Sequence, residues 1–208
     1  MMEHGPQSQG GGFGPPPGSG WSSGGAFRSF DTSLSAFVPA GSGGFVAKWI
    51  AVLSIGVFVA GIVGVGFMTG SGSSDPGGGE VLIVLWGLSL MGYLVASLVW
   101  IYMSWDFLPY EMRRTATGRA VSPGEAVGYL FVPFYNLYWT FVESMGLCEA
   151  YNAALAQHGK APTAPRQLAM AASILQMVPY FNWLLGPVVW IIYMFQVDRA
   201  KEQLLGVR

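Results

Sequence analysis

The chain has 208 residues, 52% of them hydrophobic and only 10% charged, with a formal net charge of −1 and a mean hydropathy of +0.45. A soluble domain carries roughly a quarter charged residues, so these figures argue against a water-soluble domain and for lipid as the solvent of much of the chain. The near-neutral balance leaves no basic footprint for nucleic acid. The single cysteine, Cys148, excludes an internal disulfide and a cysteine zinc site.

Residues 1–43, rich in Gly, Pro, Ser and Gln, cannot bury enough apolar surface to offset the entropy of ordering, and are expected to form a disordered tail. No basic region followed by a continuous apolar run precedes residue 44, so the tail does not read as a signal peptide. Its scattered aromatics, Phe13, Trp21, Phe27, Phe30 and Phe37, offer short docking elements for a cytoplasmic protein partner.

The first expected span covers 45–70, uncharged after Lys48 and about as long as a ~30 Å hydrocarbon core requires. Lys48 and Trp49 sit where a snorkelling cation and an interfacial ring belong. Gly56, Ala60 and Gly64 recur every four residues and suggest close approach of another helix, including one from a second copy of the chain. The loop 71–80 contains no Lys or Arg, and the second expected span, 81–105, ends in Trp100, Tyr102 and Trp105 as interface markers. A polar loop carrying Arg113, Arg114 and Arg119 leads to a third expected span, 126–148. The loop "HGKAPTAPR" leads to a fourth, 168–197, and the polar end "DRAKEQLLGVR" closes the chain.

Four spans place Arg28, Lys48, Arg113, Arg114, Arg119, Arg199, Lys201 and Arg208 on one side and Lys160 and Arg166 on the other. The bias of Lys and Arg toward the cytoplasm then makes both termini cytoplasmic.

Val132-Pro133-Phe134-Tyr135-Asn136 matches Val178-Pro179-Tyr180-Phe181-Asn182 at three identical positions. The repeated unit reads as a short apolar half-helix, a Pro-x-x-Asn break and a longer helix. Pro133 and Pro179 lack an N–H and should kink their helices. Asn136 and Asn182 carry amide donors able to reach the freed carbonyls or a neighbouring helix, since lipid supplies none. Repeated broken helices suit a binding site in a transporter as well as plain helix packing. Glu143, two helical turns beyond Asn136, is the one acidic residue well inside an expected span. The second copy has Val189 at that position, and an intramembrane carboxylate is a functional candidate.

The stretch from Trp100 to Asn152, with "SPGEAVGYLFVPFYNLYW" at its centre, resembles a family of small bacterial membrane proteins, the domain of unknown function 4328 family. Its pattern is a span ending in Trp-x-Tyr, a basic loop, Ser-Pro-Gly, an apolar run and Pro-x-x-Asn-Leu. Trp100, Tyr102, Ser122, Pro123, Gly124, Pro133, Asn136 and Leu137 fit that pattern. The chain departs from it after Tyr102, where basic residues and an asparagine are usual, and after Leu137, where Trp139-Thr140 replaces a second proline. The resemblance implies a multi-span fold and supplies no activity.

The expected protein is an all-α integral membrane protein of the bacterial cytoplasmic membrane. One domain, 44–205, holds four transmembrane helices, the third and fourth kinked, behind the tail. The expected function is a non-enzymatic scaffold that recruits partners, with a small oligomeric transporter or channel subunit as the alternative. Asn136, Glu143 and Asn182 form the candidate polar site. No catalytic residue, metal or cofactor is expected.

Overall fold

The computed structural model describes residues 42–70, 76–178 and 185–206, all within one unit, Thr32–Arg208. Residues 1–41 of the tail, Pro179 and Asn182 lie outside the described residues, while Ser42 and Gly43 open a helix. The described chain is all-α: α1 Ser42–Gly70, α2 Pro76–Asp106, α3 Pro123–Gly128, α4 Tyr135–Gln157, α5 Arg166–Met177 and α6 Gly186–Leu204. Among the described residues the one β feature is a bridge between Arg114 and Ala120.

The long uncharged runs make α1 and α2 helices of 29 and 31 residues, about 43 and 46 Å at 1.5 Å per residue. They pair antiparallel. A Cβ on Gly92 would stand 2.9 Å from Ser54 Oγ, and Phe58 stacks on Trp86 at 5.2 Å between centroids. Most of their outward surface is apolar and exposed, with Leu53, Val63, Ile83 and Leu88 each about two-thirds uncovered. Among the described residues one helix, Ile83–Asp106, is long and apolar enough to cross a membrane, at mean hydropathy 1.9, and Val46–Gly61 is a shorter apolar stretch. On α1, a Cβ at Gly56 would meet nothing within 4 Å, Ala60 is exposed and Gly64 half-buried, so the pairing with α2 leaves much of this stripe uncovered.

The third expected span does not run through. Ser122 caps α3: its Oγ accepts from the Glu125 N–H while its own N–H donates to Glu125 Oε2. Pro123 occupies the first helical turn, where its missing N–H costs nothing. A 3₁₀ turn, Tyr129–Phe131, follows, and the chain then reverses at Phe134, whose φ of 62° is rare and strained for a bulky residue. The Tyr135 N–H donates to Pro133 O at 2.7 Å, closing a γ-turn. α4 runs back along α3, because Trp139 Nε1 donates to Ala126 O at 2.8 Å and the Tyr129 and Trp139 rings are 4.8 Å apart. A helix merely kinked at Pro133 would hold Ala126 and Trp139 roughly 20 Å apart.

The fourth segment also divides. α5 lies antiparallel to α4, with Arg166 Nε 2.7 Å from Glu149 Oε1 near one end and Ser173 Oγ donating to Thr140 O at 3.4 Å near the other. α6 runs in the direction of α4: Tyr193 OH donates to Ser144 O at 3.0 Å, and beyond the end of α4 Lys160 Nζ donates to Gln203 O. The chain direction is therefore opposite in α5 and α6.

Four kinked full spans are thus not what the described residues form. Each of the last two apolar segments comprises two shorter helices of opposite direction. The local chemistry of a proline-terminated helix permits continuation and return alike, and contacts with α2 and α4 decide for return. Lys160 and Arg166 accordingly lie at the same end of the bundle as Arg113, Arg114 and Arg119, against the expected split. Every described Lys and Arg sits at this end.

Buried charge joins the hairpins to α1 and α2 there. Asp198 of α6 takes Lys48 Nζ of α1 at 2.8 Å, Lys201 Nζ at 2.9 Å and Trp100 Nε1 of α2 at 3.1 Å. Lys201 also donates to Ser104 Oγ at 2.8 Å. Lys48 therefore does not snorkel into water, and Trp100 and Trp105, expected at an interface, are fully buried. Asn152 clamps the peptide of Ala164 from both sides, accepting from its N–H and donating to its carbonyl. The polar loop rests on α4 at Gly146, where a Cβ would stand 2.5 Å from Ala116 N.

A candidate binding crevice between the helical hairpins

A crevice of about 520 Å³ opens between α2, the α3–α4 turn, α4, α5 and α6. Its apolar wall comprises Met91, Leu94, Val95, Leu98, Ile101, Leu130 and Phe131. Its polar side gathers Ser97 of α2, Asn136, Thr140 and Glu143 of α4, Gln176 of α5 and Trp190 of α6. Asn136 and Glu143 thus share one face of α4, as their seven-residue spacing predicts, and both reach the crevice.

Glu143 is 1% exposed. Its Oε1 accepts from Trp105 Nε1 at 2.9 Å and its Oε2 from Ser144 Oγ at 3.1 Å. Both donors are neutral, and among the described residues no Lys or Arg pairs with the carboxyl. The nearby cations Lys48 and Lys201 are committed to Asp198, while Arg113 holds Asp106 and the Leu108 carbonyl. The backbone around it is fixed by Tyr193 OH on Ser144 O, by Cys148 Sγ at 3.9 Å from that same hydroxyl, and by Tyr151 OH on Ser104 O.

Asn136 does not play the expected capping part. Its backbone N–H, not its side-chain amide, donates to Val132 O at 2.9 Å, and its amide makes no hydrogen bond among the described residues. The carbonyl that Pro133 cannot serve, Tyr129 O, accepts from the Val132 N–H at 3.3 Å without side-chain help, and Asn136 lines the crevice instead. Pro133 is exposed at the turn. Asn182 and Pro179 lie outside the described residues.

Comparison with protein-family models, with curated proteins and with solved structures finds no match. The chemistry of the crevice is therefore read from its own groups.

Four contributors escaped the sequence reading. Gln176 and Thr140 were legible as polar residues in apolar runs. Trp105 reads locally as an interface marker and Trp190 carries no local signal, because their roles depend on partners distant in sequence. Trp190 lines the crevice, is 3% exposed, and its Nε1–H has no partner among the described residues. A smaller cavity of about 150 Å³ lies beside Pro187 and Ser89, Leu90 and Tyr93, near the midpoint of α2, which marks how far α6 reaches along that helix. A carboxyl, amides, a hydroxyl and an indole N–H, backed by an aliphatic wall, suit holding a polar head group on an apolar chain.

Proposed function

We propose that this is a non-enzymatic integral membrane protein that takes a membrane-borne amphiphile into the Glu143 crevice. In this reading α1 and α2 cross the bilayer. The α3–α4 and α5–α6 hairpins enter from one face and stop near mid-depth, as two copies of one helical-hairpin unit. The observation that carries the proposal is a buried carboxyl, without a cation among the described residues, in a crevice whose wall belongs to the lipid-compatible surface.

The outward apolar side chains of α1 and α2 support the embedding, since only a hydrocarbon solvent leaves so many uncovered without cost. So do the exposed side chains at the hairpin ends, Phe131, Phe134, Leu137, Met177 and Val188. The gathering of described Lys and Arg residues at one end favours a cytoplasmic location for it, with the start of α1 and the end of α6. Residues 1–43 would then extend into the cytoplasm, available to recruit a partner.

Transport is the second reading, favoured by the same intramembrane carboxyl. It would need a polar path past the middle of α2, where α1 is the described neighbour, and hence additional copies packed on the Gly56, Ala60 and Gly64 stripe.

Photoactivatable alkyl amphiphiles bearing ammonium, hydroxyl or carboxylate heads, applied to membranes containing the full chain, test the proposal. At least one should crosslink to residues 91–98 or 130–140. Crosslinks confined, for all three, to the outward faces of α1 and α2 would overturn it.

A further inference from the structure

Among the described residues the polar side of the crevice carries unmet demands at Glu143 and Trp190, with the unpartnered Ser97 hydroxyl a third, and the first two point to a head group. Glu143 offers two oxygens, each taken by a single neutral donor, so each keeps acceptor capacity. A buried carboxylate without a cation is costly to maintain, and a hydrogen-bonded ion pair offsets that cost better than neutral donors do. Trp190 lines the same crevice and its buried indole N–H has no partner among the described residues; such a donor also carries a penalty until an acceptor reaches it. An ammonium answers the first demand and a neighbouring oxygen the second. Asn136, whose amide makes no hydrogen bond among the described residues, can serve either.

The wall opposite fixes the remainder of the ligand. Leu94, Leu98 and Phe131 present aliphatic and aromatic surface continuous with the exposed side of α2, so an alkyl chain leaves the crevice without crossing a polar barrier. A volume of about 520 Å³ holds a head group with the first part of a chain.

We propose that the crevice selects an amphiphile whose head is a primary ammonium beside a hydroxyl, a long-chain amino alcohol, with the ammonium on Glu143 and the hydroxyl oxygen accepting from Trp190. This rests on the binding reading above and narrows it to a charge and a donor–acceptor pattern. A neutral alcohol lacks the cation, and a fatty carboxylate supplies none and, by like-charge repulsion, opposes ionisation of Glu143.

The test uses the full chain in maltoside micelles and three probes at equal mole fraction: 2-amino-1-dodecanol, 1-dodecanol and dodecanoate. A ligand that binds only the folded state raises the midpoint of unfolding, and occupancy near a hundredfold over Kd gives a rise on the order of 5 °C. The amino alcohol should give that rise, and the other two should not. In Glu143→Gln the amino alcohol's increment should vanish while the micelle's charge is unchanged. Because that variant alters a buried group, Leu94→Trp, which fills the crevice and keeps the carboxyl, should also lose the increment with its helical circular dichroism intact. Equal increments from the amino alcohol and 1-dodecanol, or an increment retained in Glu143→Gln, would overturn the selectivity and leave amphiphile binding standing. No increment from the amino alcohol would also overturn it, and absence of crosslinking to the crevice would remove the binding reading beneath it.

Discussion

Lys48 Nζ and Asp198 Oδ2 lie 2.8 Å apart with both side chains largely buried, and this contact ties the start of α1 to the last helix of the fold. Lys201 and the Trp100 indole complete the coordination of the same carboxylate. Asp198→Asn would leave two buried ammonium groups without their anion. Breaking one side of a buried pair costs about 3–5 kcal/mol, so the unfolding midpoint in micelles should fall by about 10 °C. Adding Lys201→Met should restore part of the loss. A midpoint within a degree of the parent would show that the contact contributes no more than a surface pair.

Gly146 faces the polar loop so closely that a Cβ would stand 2.6 Å from Thr115 Cα and 2.5 Å from Ala116 N. Both are backbone atoms, so the loop itself must move. Gly146→Ala gains roughly 1 kcal/mol of helix propensity, but overpacking of this kind costs about 1–3 kcal/mol, and net destabilisation is expected. Gly128→Ala, where a Cβ meets nothing within 4 Å, should be neutral or mildly stabilising. Thermal unfolding of the two variants side by side distinguishes the loop contact from a general effect of removing glycine.

The returning hairpins make a topological prediction. Thr117→Cys and Ala161→Cys should be modified by an impermeant maleimide from the same side of sealed vesicles, and Glu80→Cys from the opposite side. Four full spans predict 117 and 161 on opposite sides, so the pair of labels decides between the arrangements. The native Cys148 is buried and should stay unmodified.

The start of α3 should be sensitive to acid. The Ser122 N–H and hydroxyl both donate to Glu125, at 2.8 and 2.9 Å, and hold its carboxyl below the ordinary carboxylate range, helped by Arg119. A folded-state value lower than the unfolded one, about 4.3, means this contribution is complete above that pH and is lost as pH falls through the folded value. Ser122→Ala should cost about 1 kcal/mol at pH 7 and less near pH 3. NMR titration of Glu125 checks the cause. A penalty independent of pH would assign the cap to the hydroxyl alone.

The repeated Pro-x-x-Asn, the helices flanking its first copy and the shared face of Asn136 and Glu143 were all legible in the sequence. Each depends on residues within a few turns of one another. Apolar runs of this length likewise announce helices and a lipid-compatible surface, because hydropathy and helical period are local properties. The direction of the chain after Pro133 is another matter. A γ-turn at Phe134 and a kinked continuation leave similar local patterns, and the hydrogen bond from Trp139 to Ala126 exists only once the hairpin has closed. The partners of Glu143 and Asp198 are likewise beyond any local pattern. Trp105, Trp100, Lys48 and Lys201 read as interface markers or polar ends, since an indole or ammonium shows its partner only when packing brings a distant carboxylate within 3 Å or so. Composition and periodicity thus establish helices, apolar faces and one exceptional carboxyl. Long-range packing turns two expected spans back on themselves and brings Glu143 into the lining of a crevice.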